Sequence, residues 1–95
     1  MRNEDLIANF FGGGTSGHGS NMYIDNDKLI EWATCLAQRV NGGYILNTTK
    51  YSRTTSRWQG SIAYYAGSKV LNKVNGLDFG VKDLTRYTGE PVETY

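Results

Sequence analysis

Scarcity is the first thing this chain shows. Its 95 residues hold one cysteine, Cys35, one histidine, His18, and one proline, Pro91. A single thiol cannot close an internal disulfide, so an intracellular, reducing setting is expected rather than a secreted one. The apolar neighbours of Cys35 point to a buried thiol and not a reactive one. His18 has no second histidine to join it, and no Cys or carboxylate stands beside it at ligand spacing. It is expected in a solvent-exposed loop with no metal. The same shortage leaves no Ser-His-Asp or Cys-His arrangement, and no pair of carboxylates lies in apolar surroundings that would split their pKa values. The composition therefore predicts a non-enzymatic binding protein without cofactor. No apolar run reaches membrane-spanning length and no signal-peptide pattern is present, which predicts a soluble, cytoplasmic protein with no membrane partner.

Acidic residues are missing from one long interval. Between Glu31 and Asp78 there is no carboxylate, while Arg39, Lys50, Arg53, Arg57, Lys69 and Lys73 all fall there. Glu4, Asp5, Asp25 and Asp27 precede the gap, Asp83, Glu90 and Glu93 follow it, and the net charge is +1. Folding either gathers the basic middle on one face or disperses it into a mixed surface. The length is that of one small domain with a modest core, to which a homodimer interface would add.

Asn3 followed by Glu4 and Asp5 reads as an N-cap with acids in the first turn. Leu6, Ile7, Phe10 and Phe11 recur at helical spacing, so residues 4–11 read as a short amphipathic helix that must dock to be stable. Gly12 to Ser20 reads as a flexible connector. Its Gly12-x-Gly14-x-x-Gly17 pattern lacks the strand before and helix after that a dinucleotide loop needs. Met22–Ile24 and Leu29–Trp32 read as strands around an Asp25–Lys28 turn, which lacks the glycine and terminal glutamate of a calcium loop. Cys35–Val40 and Tyr44–Thr49 read as two more strands, joined by the hairpin signal Asn41-Gly42-Gly43. Period-two alternation puts Leu36, Gln38 and Val40 on one face and Cys35, Ala37 and Arg39 on the other.

After Tyr51 the pattern turns helical. Ser56-x-x-Gln59 fits a capping box, and Trp58, Ile62, Tyr65, Ala66, Lys69, Val70 and Lys73 share one side of a helix of about five turns. Asn75-Gly76 would end it, and Gly60 and Gly67 would each weaken it by roughly 1 kcal/mol. Leu77, Phe79, Val81 and Leu84 read as an edge strand or packed arm. Regular structure is expected to end at Gly89-Glu90-Pro91, leaving a tail held only by a partner. The fold expected is α+β, with a short N-terminal helix, a four-stranded antiparallel meander and one long helix packed on it. Residues 1–76 form the domain and residues 77–95 a partly ordered arm.

The stretch Asn47 to Gln59 concentrates what this chain has for binding. Lys50, Arg53 and Arg57 supply point and fork-shaped cations, Thr54, Thr55 and Ser56 supply hydroxyls, and Tyr51 and Tyr64 (with Trp58 and Tyr65) supply aromatic surface. These are the groups that phosphate or carboxylate recognition uses. The structural alternative is a strand-to-helix corner with capping hydroxyls and a core tryptophan.

Three runs carry a resemblance: Gly17 to Leu29, Leu36 to Val40, and above all Asn47-x-x-x-Tyr51-Ser52-x-Thr54-Thr55-Ser56-x-x-Gln59. Over about residues 4–70 the chain resembles a family of short proteins encoded by bacteriophages, prophages and plasmids. Members usually carry His where this chain has Trp58, and a Tyr-rich turn where it has Glu31-Trp32-Ala33-Thr34. The resemblance implies a mobile-element origin, and small accessory proteins of that origin often antagonise host defence, anti-CRISPR proteins among them. The function expected is thus inhibition of a host defence effector, such as a Cas nuclease or surveillance complex, by blocking its nucleic-acid or partner site. Two alternatives stand beside it. One is direct nucleic-acid or nucleotide binding at the basic corner, including sequestration of a signal nucleotide. The other is a homo-oligomer built on the Phe10-Phe11 helix or a sheet edge.

Overall fold

A computed structural model describes residues 1–87 and 90–91. Helix α1 spans Asn3–Phe11 and helix α2 Arg53–Ala66. The strands are β1 (Ser16–His18), β2 (Met22–Asp25), β3 (Lys28–Glu31), β4 (Thr34–Val40), β5 (Gly43–Asn47), β6 (Val70–Val74) and β7 (Glu90–Pro91). They form one sheet in chain order. Neighbours are antiparallel except β5 and β6, which run parallel because α2 crosses over between them.

The α+β class with one short and one long helix is observed, but the sheet is larger than the expected four-stranded meander and is mixed. Three strands account for the difference. Val70, Lys73 and their neighbours fit a helical stripe and an alternating strand equally well, and tertiary structure decides for the strand. Gly67, at φ 56, stops α2 after Ala66. The chain then pairs with the open edge of β5, alternating half-buried or buried Val70, Asn72 and Val74 with exposed Leu71 and Lys73. The supposed connector after α1 holds β1, a three-residue edge strand on β2 that carries exposed His18. Regular structure also continues past the expected stop: Glu90 and Pro91 pair with Lys73 and Asn72. Proline is tolerated there because an edge strand needs no donor on its outer side. The tail expectation otherwise concerns residues 88–89 and 92–95, outside the described residues.

Two cores flank the sheet. On one face α1 and α2 bury Leu6, Ile7, Phe10, Ile62 and Ala66 against Met22, Ile24, Leu29, Leu36, Ala37, Tyr44 and Leu46. On the other, Ile30, Cys35, Ile45 and Val74 are covered by the segment after β6 through Leu77, Val81 and fully buried Leu84. Backbone groups fix that cover: Cys35 N–H donates to the Val81 carbonyl at 2.8 Å, and Leu84 N–H to Gln38 Oε1 at 2.7 Å.

The alternation expected for β4 breaks at a bulge. Leu29 pairs with Ala37 but Ile30 pairs with Cys35, so Leu36 is the extra residue. Leu36 and Ala37 therefore both join the helix-side core, while Cys35 joins the opposite one. A bulge places two residues against one and resets the period-two count. No composition signal marks it.

Both helix starts differ from expectation. Arg2 occupies the N-cap position of α1 and no side chain caps it. Asn3, expected as the cap, is instead 7% exposed, accepting from Ser20 N–H and donating to Asn21 Oδ1, each at 2.8 Å. Helix α2 begins four residues ahead of the Ser56 box. Ser52 is extended (φ −154, ψ 170) and its hydroxyl accepts from Thr55 N–H at 3.2 Å. Gln59, freed from capping, donates to the carbonyls of Asn47 and Thr49 at 2.8 Å each, fastening the first turns of α2 to the end of β5. Trp32, expected at a strand end, sits in the β3–β4 turn at φ 57 and is 65% exposed.

Candidate functional site

The hydroxyl- and amide-rich stretch from Asn47 divides into an inward and an outward set. Asn47, 1% exposed, donates to the Cys35 carbonyl and the Tyr51 hydroxyl, both at 3.1 Å, and accepts from Thr49 N–H. Thr48 Oγ1 donates to the Val74 carbonyl, and Thr49 Oγ1 accepts from Leu77 N–H. Tyr51 donates onward to the Asp78 carbonyl at 3.3 Å and meets Phe79 edge-on. The Ser52 hydroxyl donates to Thr55 Oγ1, which donates at 2.6 Å to Glu31 Oε1. Glu31 is 2% exposed, and its second oxygen is buried without a partner among the described residues. These side chains knot β3, β4, β5, α2 and the C-terminal segment together. Tyr51 and Thr55, two of the residues singled out for binding, spend their hydroxyls in that knot.

Lys50, Arg53, Thr54 and Arg57 are exposed. Arg53 and Arg57 are four residues apart on α2 and Tyr64 follows seven later, which at 3.6 residues per turn sets all three within about 40° of one another. Thr54 lies on the adjacent row with Trp58 and Tyr65. Tyr64 is 81% exposed and packs edge-to-face on Tyr65 with centroids 5.4 Å apart. The opposite side of α2 carries buried Thr55, Ile62 and Ala66. Arg57 lies over the Trp58 ring at 5.2 Å, and the ring packs against the helix-side core, so the tryptophan is partly core and partly a seat for the cation. No residue of α2 is acidic, and the ion pair found among the described residues is Arg86 with Asp83, remote in sequence. The outer face of α2 is thus a cationic, aromatic strip on a rigid element.

The basic middle does not gather whole. Arg39 points to the end of α1, donating to the carbonyls of Phe10 at 2.6 Å and Gly14 at 3.0 Å with its guanidinium 4.7 Å from the Phe10 ring. It sits at the C-terminal end of α1, where a cation complements the helix dipole, and shares the Phe10 carbonyl with Gly13 N–H. Lys69 and Lys73 lie beyond the end of α2, in the 3-10 turn and on β6. Sequence spacing had no means of separating these three from the Lys50–Arg57 group. It also missed Arg2, which lines a cleft with Arg57 although the two lie far apart on the chain.

Burial pushes the Cys35 thiol up to about 12 from an ordinary 9.0, and Sγ donates to the Ala37 carbonyl at 3.1 Å. It is a core group, not a nucleophile. No metal-binding cluster of His, Cys, Asp or Glu forms among the described residues, and no helix there is long and apolar enough to cross a membrane. Neither a protein-family model, nor a curated protein, nor a solved structure matches this chain.

Proposed function

We propose that the protein is a non-enzymatic inhibitor of the kind phages carry against host defence, and that it acts by docking the outer face of α2 on an acidic surface of a defence effector. The observation that supports this is the alignment of Arg53, Arg57 and Tyr64 on one exposed, carboxylate-free helical face. Arginine and tyrosine are the side chains that most often anchor protein interfaces, and a helix holds them ready without loop ordering. A cationic face is repelled by a basic nucleic-acid groove, so the docking surface is an acidic patch beside the effector's nucleic-acid or partner site, which the body of the protein then covers. The defence context comes from the sequence resemblance and the surface chemistry from α2. The experiment is capture from phage-infected host lysate with the wild type, Arg53→Ala/Arg57→Ala and Tyr64→Ala. Partners held by the wild type and lost by both variants are expected. An identical partner list for all three moves the interface off α2.

A second reading, direct binding of nucleic acid or a nucleotide through Lys50, Arg53 and Arg57, is favoured by the absence of acids from α2 and the exposed Tyr64 and Tyr65 rings. Three phosphate contacts would give a log–log salt slope of about −2 to −3. Binding undetectable at low salt removes it. For self-association through the Phe10-Phe11 helix, Phe10 is fully buried and half-buried Phe11 packs on Tyr44 with centroids 4.6 Å apart, so less of the pair is presented than its sequence suggested.

A further inference from the structure

The two edges of the sheet differ. At one end of the strand order, β7 pairs with β6 and carries Pro91, a residue that discourages further pairing. At the other end, β1 pairs with β2 alone, and no described strand lies beyond it. We propose that a second copy of this chain closes that open edge, with β1 pairing antiparallel to its own copy about a two-fold axis at Gly17. The proposal goes beyond the docking face of α2 and does not depend on it.

The first observation is where the backbone groups of β1 go. Asn26 N–H donates to the Thr15 carbonyl at 3.0 Å and Gly19 N–H to the Met22 carbonyl at 2.7 Å, with Gly17 opposite Ile24 between them. Bonded and non-bonded pairs alternate along an antiparallel ladder. Thr15, Gly17 and Gly19 therefore spend their groups on β2, while Ser16 and His18 turn theirs outward. Both of these residues are exposed, and their outward N–H and C=O groups have no partner among the described residues. The second observation is the lack of protection. Natural edges are blunted by charged side chains, proline, a bulge or a covering element. Residues 15–20 contain no charged residue and no proline, and the β1–β2 register runs without a bulge.

The third observation is that this edge fits itself. When Ser16 opposes His18 of the second copy, all the outward groups meet, and two donors and two acceptors from each copy make four hydrogen bonds. Gly17 then faces Gly17 at the axis with no side chain between. Gly17 holds φ 143, and a Cβ there would come within 3.0 Å of Leu6 Cδ1, so α1 lies close over the edge. The amide of exposed Asn9 reaches over the same glycine, with Nδ2 3.8 Å from the place of that Cβ. The two-fold brings it toward its own copy, and an amide is both donor and acceptor. Charge does not oppose the pairing. Helix α1 starts beside Ser20 and ends beside Gly14, antiparallel to β1. The axis therefore carries Glu4 and Asp5 of the two copies to opposite ends of the seam. It also keeps both α2 faces on one side of a continuous sheet.

A seam of three residues a side is small against the roughly 1,200–2,000 Å² of a standard interface, so the association is weak and depends on concentration. Sedimentation velocity on the whole chain, from about 10 μM to about 1 mM, tests it. The wild type is expected to shift from monomer toward dimer across that range. Ser16→Pro removes an outward N–H and leaves the ladder to β2 intact, so it should weaken association at least about tenfold with an unchanged thermal melt. A second pair of variants does not rely on that substitution. Ser16→Cys and His18→Cys, mixed under oxidising conditions, should crosslink to each other, while Ser16→Cys alone should not, because like positions lie diagonally across the seam. Buried Cys35 does not compete. Arg53→Ala should leave the dimer intact while disturbing partner capture, so this proposal and the docking face fail separately. A wild type that stays monomeric to about 1 mM, a dimer that survives Ser16→Pro, or Ser16→Cys crosslinking to itself in preference to His18→Cys overturns the proposal.

Discussion

Glu31 and Cys35 are buried side chains with different surroundings. Glu31 places its side-chain oxygens inside the protein with one hydrogen-bond donor, the Thr55 hydroxyl. Thr55→Val preserves shape and removes that donor, so it should destabilise the fold by about 1–3 kcal/mol. Urea unfolding measures it, and a loss below about 0.5 kcal/mol would mean that water already serves Glu31. Cys35 is a neutral thiol that burial keeps protonated. Its folded pKa, about 12, lies above the ordinary 9.0, so the stability it contributes is complete below pH 9.0 and is lost as pH rises toward 12. The difference in unfolding free energy between wild type and Cys35→Ala should shrink across that range. A constant difference would contradict the burial argument. Neither role was legible beforehand in full. The apolar neighbours of Cys35 gave its burial, but Glu31 read as an ordinary charged residue at a strand end.

At the scale of elements, the two hydroxyl caps competing for α2 separate cleanly by mutation. Ser52→Ala removes the observed cap and should cost about 0.5–2 kcal/mol. Ser56→Ala, in the exposed helix interior, should stay within about 0.5 kcal/mol of wild type. Thermal melts of the two variants decide between them, and the opposite ranking would restore the later helix start. Ser56-x-x-Gln59 matches the capping box and Ser52-x-x-Thr55 lacks its Glu or Gln, so spacing pointed to the later start. What overrides it is tertiary: Gln59 is needed to fasten α2 to Asn47 and Thr49. The hairpin strands β2 to β5 were legible from alternation and turn chemistry, since each pays little attention to the rest of the fold. Strand β6 was not, because its residues satisfy the helical period as well and only the free edge of β5 selects the strand. Strand β1, Ser16-Gly17-His18, has no apolar pattern to read at all.

The whole molecule is a sheet covered on both faces, and the cover differs in kind. Helices close one side, and an irregular segment with Leu77, Val81 and Leu84 closes the other. Leu84 is fully buried, so Leu84→Ala should cost about 2–5 kcal/mol, as core truncations do. Chemical denaturation measures that loss, and a value near zero would show that the segment does not stabilise the sheet. With its apolar faces closed, the protein presents its cationic strip from a fixed scaffold. The strip itself was half legible: the acid-free interval was plain in the sequence, but the diversion of Arg39 to α1 and the inward turn of Tyr51 and Thr55 needed the three-dimensional arrangement. The most direct measurement is the dissociation constant of a captured effector for wild type and for Arg53→Glu/Arg57→Glu, with melting temperatures taken alongside. The account predicts an unchanged melt and a loss of affinity of about a hundredfold or more, steepest at low salt. Equal affinity for the two proteins would contradict it.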